Sequence, residues 1–221
     1  GTGTQTAGLS FGGNDSDGAN SNVTAEYGGT SWTTGGNLNT ARRRFDGAGT
    51  QTAGLGFGGY TDTSVNNSEE YNGTSWTEGD NLNTARMYLA GMGSQTAGLA
   101  VGGNDGTAFV SVVEEYDGTS WTEVTNMPTT TATLGTSGLV NTAALIFGGQ
   151  IPGNTNKTFS YDGTNWAAQP DLATGRKQIG SAGNSGTSAL AFGGANPPST
   201  SNLTSTEEFT IAATTRTVDV S

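Results

Sequence analysis

The 221-residue sequence contains no cysteine and no histidine. Without these side chains the chain lacks the usual ligands of zinc, copper and haem, the histidine of a Ser–His–Asp triad and a cysteine nucleophile. It also has no disulfides, so a fold of this size must be held by packing alone. We therefore expect a protein that is not an enzyme, with no catalytic residues, no metal and no cofactor.

Positive charge is scarce as well. Eight Lys and Arg stand against 19 Asp and Glu, which gives a formal net charge of −11. Nucleic-acid binding requires clustered cations opposite the phosphates, so no nucleic-acid partner is expected.

No apolar run approaches the roughly 18 residues of a membrane span, and no signal-peptide pattern is visible. We expect no membrane insertion. Because the chain begins at Gly1 rather than Met, we also expect a processed or excised piece of a longer protein.

The abundant feature is an internal repeat rich in Gly, Thr, Ser and Asn. An apolar run ending in Gly-Gly recurs five times at intervals of 44 to 46 residues, and the five pairs end at Gly13, Gly59, Gly103, Gly149 and Gly194. A Tyr and a Trp five residues apart follow four of the pairs, at Tyr27–Trp32, Tyr71–Trp76, Tyr116–Trp121 and Tyr161–Trp166. The fifth copy keeps Glu207, Glu208 and Phe209 but has Thr214 where Trp is due. A period of this length indicates a repeat architecture.

Each copy is consistent with four short strands. The continuous apolar run predicts a strand covered on both faces, and the Asn-Gly or Asp-Gly pair before each of several Trp predicts a hairpin turn. A single sheet of this size cannot bury its own faces, whereas five around an axis can. The predicted fold is all-β, one five-bladed β-propeller of four-stranded blades over residues 1–221. The blades span about 1–41, 42–85, 86–130, 131–175 and 176–221.

Ring closure follows from the same alignment. Residues 1–3 align with the innermost strand of the second copy, and residues 215–220 fall where the outer strand of blade 5 belongs. We expect the ring to close without an interlocking terminal strand.

The order of apolar run, Gly-Gly, variable loop, Glu-Tyr and Trp resembles the kelch repeat, and the resemblance covers the whole chain. It implies a β-propeller of kelch-like blades. The near-identical runs GTQTAGL at Gly3 and Gly49 also resemble Gly/Thr-rich kelch-like repeats of tailed bacteriophages and environmental bacterial surface proteins. That second resemblance implies a location outside the cell or on a virion surface, as in a tail fibre or an adhesin.

The candidate ligand-binding cations share one register of the repeat. Arg42, Arg86 and Arg176 each lie ten residues after a Trp, and Thr131 holds that place in the fourth copy. In a kelch-like blade this point is on the same face as the loop after Gly-Gly, where Lys157 lies. A ring of Arg suits carboxylate, sulfate or phosphate groups. The alternative is architectural: these Arg brace neighbouring blades through backbone carbonyls or the repeated Glu.

The loops after Gly-Gly differ most among the copies and supply the remaining candidates. Tyr60 and Phe109 are aromatic anchors in two of these loops. A repeated scaffold with one variable set of loops favours a non-catalytic binding module that recognises a surface glycan or a protein. The alternatives are a purely structural spacer or decoration domain and, with less support, a kelch-type lyase. The repeated Glu pairs are separated around the ring, which argues against a glycosidase site.

Overall fold

The structure, a computed structural model, describes residues 1–196 and 202–210. Nineteen strands in this part form five antiparallel sheets, and the innermost strands of all five line one central channel. The predicted all-β, five-bladed β-propeller is confirmed. The described residues form no helix, and hence none long and apolar enough to cross a membrane.

The strands of each blade follow the chain from the channel outwards. Blade 1 contains β1 (Thr2–Thr4), β2 (Ala7–Asn14), β3 (Asn20–Tyr27) and β4 (Trp32–Thr34). Blade 2 contains β5 (Asp46–Thr50), β6 (Ala53–Phe57), β7 (Ser68–Tyr71) and β8 (Trp76–Glu78). Blade 3 contains β9 (Ala90–Ser94), β10 (Ala97–Val101), β11 (Val113–Tyr116) and β12 (Trp121–Glu123).

The last two blades follow the same order. Blade 4 contains β13 (Gly135–Ser137), β14 (Ala144–Phe147), β15 (Thr158–Tyr161) and β16 (Trp166–Gln169). Blade 5 contains β17 (Gly180–Ser185), β18 (Ser188–Phe192) and β19 (Thr206–Thr210) among the described residues. The predicted outer strand at residues 215–220 lies outside the described part of the chain. The innermost strand predicted at residues 1–3 is β1, one residue further along.

The second strand of a blade is apolar because the neighbouring blades cover both of its faces. Leu55 and Leu99 on these strands have no exposed surface. The blades pack so closely that a Cβ added at Gly54 would lie 2.8 Å from the Leu9 Cδ2 of the preceding blade. Glycine at this position of blade 2 therefore permits the close approach, because an added Cβ would require the Leu9 side chain to shift.

Tryptophan fills the space between adjacent blades. Trp76 packs on Phe11 of blade 1, with ring centroids 4.9 Å apart, and its Nε1 donates to Thr24 Oγ1 at 2.9 Å. Trp121 repeats this arrangement one blade later, donating to Ser68 Oγ at 3.3 Å. The repeated Trp are therefore inter-blade packing residues at these two junctions.

The Gly-Gly pairs turn the chain out of the core onto one face of the ring. Gly58 and Gly59 have φ values of 65° and 112°, a left-handed backbone that glycine adopts without steric cost. Beyond them, Tyr60 exchanges backbone hydrogen bonds of 2.8 and 3.1 Å with Arg43 in the connection that enters the blade. Equivalent bridges join Met87 to Asn104, Ala132 to Gln150 and Lys177 to Ala195. The blade connections and the loops after Gly-Gly thus share one face, called the loop face below.

Candidate functional site

The three arginines expected at a ligand site are buried. The exposed fractions of Arg42, Arg86 and Arg176 are 0%, 0% and 1%. Each lies in the connection between two blades and forms an ion pair with the third strand of the following blade, with Glu69 at 3.1 Å, Glu114 at 3.0 Å and Glu207 at 2.5 Å. A guanidinium without accessible surface cannot touch a ligand on the loop face.

The Arg86 junction shows how these groups hold the ring together. Arg86 donates to the carbonyls of Gly102 and Val112 at 2.7 and 2.8 Å. Glu114 accepts from the backbone and side-chain nitrogens of Asn83 at 2.6 and 2.9 Å. Burial lowers the pKa of Arg86, and the charge of Glu114 opposes that shift. The arginines thus brace neighbouring blades through backbone carbonyls and the repeated Glu, which was the architectural alternative. The expected ring of anion-binding arginines at the mouth of the axis is not formed by Arg42, Arg86 and Arg176, because these side chains are buried.

The other predicted residues remain at or near the surface. Lys157 is exposed and pairs with Asp171 at 2.7 Å. Phe109 is partly buried in its loop and forms a backbone bridge with Asn104. Tyr60 is half-buried, and the guanidinium groups of Arg43 and Arg44 lie 5.2 and 5.0 Å from its ring centroid. Only Tyr60 of these three is in contact with the side chains described next.

Four residues surround the propeller axis on the loop face and form what we call the axial mouth: Arg44, Tyr88, Thr133 and Gln178. They occupy one position of the repeat, two residues after Arg42 and its equivalents. Their φ values are 58°, 56°, 54° and 53°, and they are the only positive-φ residues other than glycine in the described part of the chain. A left-handed backbone costs a non-glycine residue about 1–3 kcal/mol, and it is least suited to a β-branched residue such as Thr133.

Backbone hydrogen bonds connect the residues of the axial mouth in sequence around the axis. The Tyr88 N–H donates to the Arg44 carbonyl at 2.7 Å, and the Thr133 N–H donates to the Tyr88 carbonyl at 2.9 Å. The Gln178 N–H donates to the Thr133 carbonyl at 3.0 Å. The same backbone thus carries four different side chains at equivalent places on a fixed frame.

The side chains of the axial mouth surround an open bowl of about 270 Å³. Its floor is apolar and consists of Phe45, Leu89, Leu134 and Ile179. The Arg44 guanidinium lies 4.9 Å from the centroid of the Tyr88 ring. Thr133 Oγ1 is buried and has no hydrogen-bond partner. A cation, an aromatic face and an amide above an apolar floor can orient a polar ligand.

A carboxyl group lies at the bottom of the bowl, where the bowl meets the channel. Asp46 lines both spaces and accepts the backbone N–H groups of Gly47 and Gly91, each at 2.9 Å. Burial raises the pKa of Asp46, while the nearby N-terminal amino group and the two backbone donors act in the opposite direction. The axial mouth therefore has a cation at its rim and a buried carboxyl group beneath.

Sequence reasoning selected none of the four residues of the axial mouth as a ligand-binding candidate. The variation at this position, Arg, Tyr, Thr and Gln in an otherwise repeated connection, was available in the sequence. The left-handed backbone that aims these side chains at the axis has no signature in residue type, since none of the four is glycine.

The described residues contain no group of three or more Asp and Glu placed to hold a metal ion. No protein-family model and no curated protein matches the sequence.

Proposed function

We propose that this protein is a non-catalytic binding module that recognises an acidic surface glycan at the axial mouth. The supporting observation is the set of four left-handed, non-glycine residues with different side chains. Glycine would remove the backbone cost at each position, and strained residues of this kind cluster at functional sites. Arg44 suits a carboxylate or sulfate, Tyr88 offers an aromatic face to a sugar ring, and Gln178 offers an amide for hydroxyl groups.

The proposal extends to the repeat family and to the location. Five copies of the apolar run with Gly-Gly, four of them followed by a Tyr and a Trp five residues apart, support a kelch-like repeat, although no family match accompanies them. A binding module of this composition suits the outside of a cell or a virion, for example in a tail fibre or an adhesin. Without a ligand, the protein would be a structural spacer or decoration domain.

The experiment is a glycan array that contains sialylated, uronic-acid and sulfated glycans beside their neutral counterparts. The purified protein should bind acidic members, and Arg44→Ala should weaken binding at least about tenfold if the lost contact is charge-assisted. Lys157→Ala is the matched control, because it removes an exposed cation that already pairs with Asp171 outside the axial mouth. Equal losses in the two variants would indicate general charge attraction and would contradict a site at the axial mouth.

Thr133→Gly separates ligand binding from stability. Glycine relieves the left-handed backbone, so the variant should be equally stable or more stable than the parent in urea denaturation. Glycan affinity should fall, because a freer backbone at residue 133 holds its hydrogen-bonded neighbours Tyr88 and Gln178 less firmly around the bowl. A variant that is more stable and binds as well as the parent would show that Thr133 has no part in recognition.

A further inference from the structure

The junction between blades 4 and 5 lacks the tryptophan that fills the junctions before it. At the junction of blades 1 and 2, the indole of Trp76 lies in a hydrophobic cluster with Phe11 and Leu38 of blade 1 and Tyr71 of its own blade. Its N–H donates to Thr24 Oγ1. These four residues define an indole socket, and the same four positions of the repeat recur at each later junction, with Val113 at the hydroxyl position between blades 3 and 4.

Among the described residues, those equivalent to the indole socket at the junction of blades 4 and 5 enclose a cavity rather than a Trp side chain. Phe147, Leu172 and Thr158 of blade 4 and Phe209 of blade 5 line a cavity of about 180 Å³. They correspond to Phe11, Leu38, Thr24 and Tyr71. An apolar cavity of about 150 Å³ is large enough to bind benzene. The size of this cavity, and the apolar part of a lining that also includes Asp171, Glu207 and Glu208, are suited to a flat aromatic ring.

A polar atom in the cavity wall lacks a partner. Thr158 is 2% exposed, and its Oγ1 forms no hydrogen bond. The equivalent hydroxyls of Thr24 and Ser68 each accept an indole N–H. A buried hydroxyl without a partner costs free energy that a donor in the cavity would recover. An N–H at the edge of an aromatic ring would supply such a donor.

The sequence provides no aromatic residue to fill this cavity from blade 5. The position five residues after Phe209, which holds Trp in the other four copies, is Thr214. Residues 211–221 contain no aromatic residue at all. The tryptophans of blades 2 and 3 are already buried in their own sockets.

We propose that the cavity between blades 4 and 5 is a binding site for an indole ring, separate from the axial mouth. The ring would lie against Phe147 and Phe209 and donate its N–H to Thr158 Oγ1. The indole is either a free small molecule or the side chain of a tryptophan in an extended protein segment. Both sources share the chemistry that the cavity selects.

The first test is a calorimetric titration of the whole protein with indole and with 1-methylindole, which has the ring but not the N–H. Indole should bind more tightly, by about fivefold for one neutral hydrogen bond. Thr158→Val keeps the size of the cavity and removes the acceptor, so it should abolish the difference between the two compounds. No binding of indole, or an equal preference in the parent and in Thr158→Val, would overturn the proposal.

The second test fills the cavity from within. Thr214→Trp restores the residue of the other copies, so it should raise the Tm and prevent indole binding. Thr164→Trp, at the exposed turn before Trp166, is a control that adds an indole away from the cavity and should leave binding unchanged. Indole binding that survives in a folded Thr214→Trp variant would place the ligand elsewhere and refute the assignment.

A third titration distinguishes the two sources. The probe is the hexapeptide Gly-Thr-Ser-Trp-Thr-Glu, which copies residues 73–78, compared with the same peptide carrying Ala in place of Trp. Tighter binding of the Trp peptide than of indole supports a protein segment as the ligand, and tighter binding of indole supports a small molecule. If neither the peptide nor indole binds, the cavity is only a packing defect and the proposal fails.

Discussion

Each buried arginine and its glutamate behave as one unit of the repeat. Glu69, Glu114 and Glu207 occupy the same position of the third strand, and each receives an Arg from the preceding connection. In blade 4 that strand position is Phe159, and the preceding connection carries Thr131 instead of Arg. Both partners are thus absent together. This is the expected outcome if either charge alone would be buried without compensation.

The residue-scale prediction concerns that pairing. Arg86→Thr alone should destabilise the protein by about 3–5 kcal/mol, because it leaves Glu114 buried without its partner. Adding Glu114→Phe reproduces the natural junction of blade 4 and should recover most of the loss. The measurement is the free energy of unfolding in urea for the two single variants and the double variant.

Glycan binding provides the control for this prediction, since the Arg86 guanidinium is remote from solvent. The double variant should retain the affinity of the parent. If the loss of stability in the double variant equals the sum of the losses in the two single variants, the ion pair does not act as a unit. If the double variant is stable but binds the glycan more weakly than the parent, Arg86 takes part in ligand binding after all.

At the scale of elements, tyrosines on the third strands connect adjacent blades. Tyr71 donates its hydroxyl to Glu26 of blade 1, and Tyr116 donates to Glu70 of blade 2 at 2.5 Å. Burial raises the pKa of both hydroxyls, and the accepting carboxylates raise it further. Burial and Glu115 raise the pKa of Tyr161 in the same way. Each of these tyrosines is therefore favoured in its protonated form by the fold.

These shifts predict that stability falls in alkali. A pKa raised in the folded state means that the unfolded chain loses its tyrosine protons first, from about pH 10. The contribution is complete below that pH and is lost as the pH rises towards the folded pKa values. Urea denaturation at pH 8, 10 and 11 should show a progressive decrease in the free energy of unfolding.

The control for the alkaline prediction is the double variant Tyr71→Phe and Tyr116→Phe. It should be less stable at pH 8, because Glu26 and Glu70 lose their donors, and its stability should depend less on pH above 10. An unchanged pH dependence would mean that other groups, not these tyrosines, govern alkaline unfolding.

The elements were predictable from the sequence to a greater extent than the site. Five Gly-Gly runs and the Tyr–Trp spacing led to five blades because strand order and burial leave a periodic trace. The position of Arg86 in the repeat correctly placed this residue in the connection between two blades. It could not tell whether the Arg86 side chain points to the axis or into the junction, since a position in the repeat does not by itself fix the direction of a side chain.

At the scale of the whole molecule, the seam between blades 5 and 1 differs from the other junctions. Trp32 and Phe192 are 57% and 42% exposed, whereas Trp76 and Phe11, which occupy the same positions at the junction of blades 1 and 2, are 5% and 6% exposed. Among the described residues, Trp32 and Phe192 do not form the buried ring contact that Trp76 and Phe11 form between blades 1 and 2.

The sequence nevertheless has, on blades 1 and 5, the residue types that form such contacts at the other junctions. Gln51 of blade 2 donates to the carbonyls of Gly8 and Tyr27 in blade 1, at 3.2 and 2.8 Å. Blade 1 has Gln5 at the equivalent position, facing the seam. Tyr27 likewise corresponds to Tyr71, and the matching acceptor on blade 5 is Glu208. The faces of blades 1 and 5 are complementary by the same rules that join the other blades.

We therefore predict that in solution the ring closes by placing Tyr27 against Glu208 and Trp32 against Phe192. Burying a large apolar side chain contributes about 1.5–3 kcal/mol, and the two blades are already held near each other by the three between them. In a double-mutant cycle, Tyr27→Phe and Glu208→Gln should then show a coupling energy of about 0.5–3 kcal/mol. The cycle of Tyr116→Phe and Glu70→Gln, a pair already in contact, calibrates the expected value. Additive effects at the seam, together with strong acrylamide quenching of fluorescence that disappears in Trp32→Phe, would show instead that blades 1 and 5 stay apart.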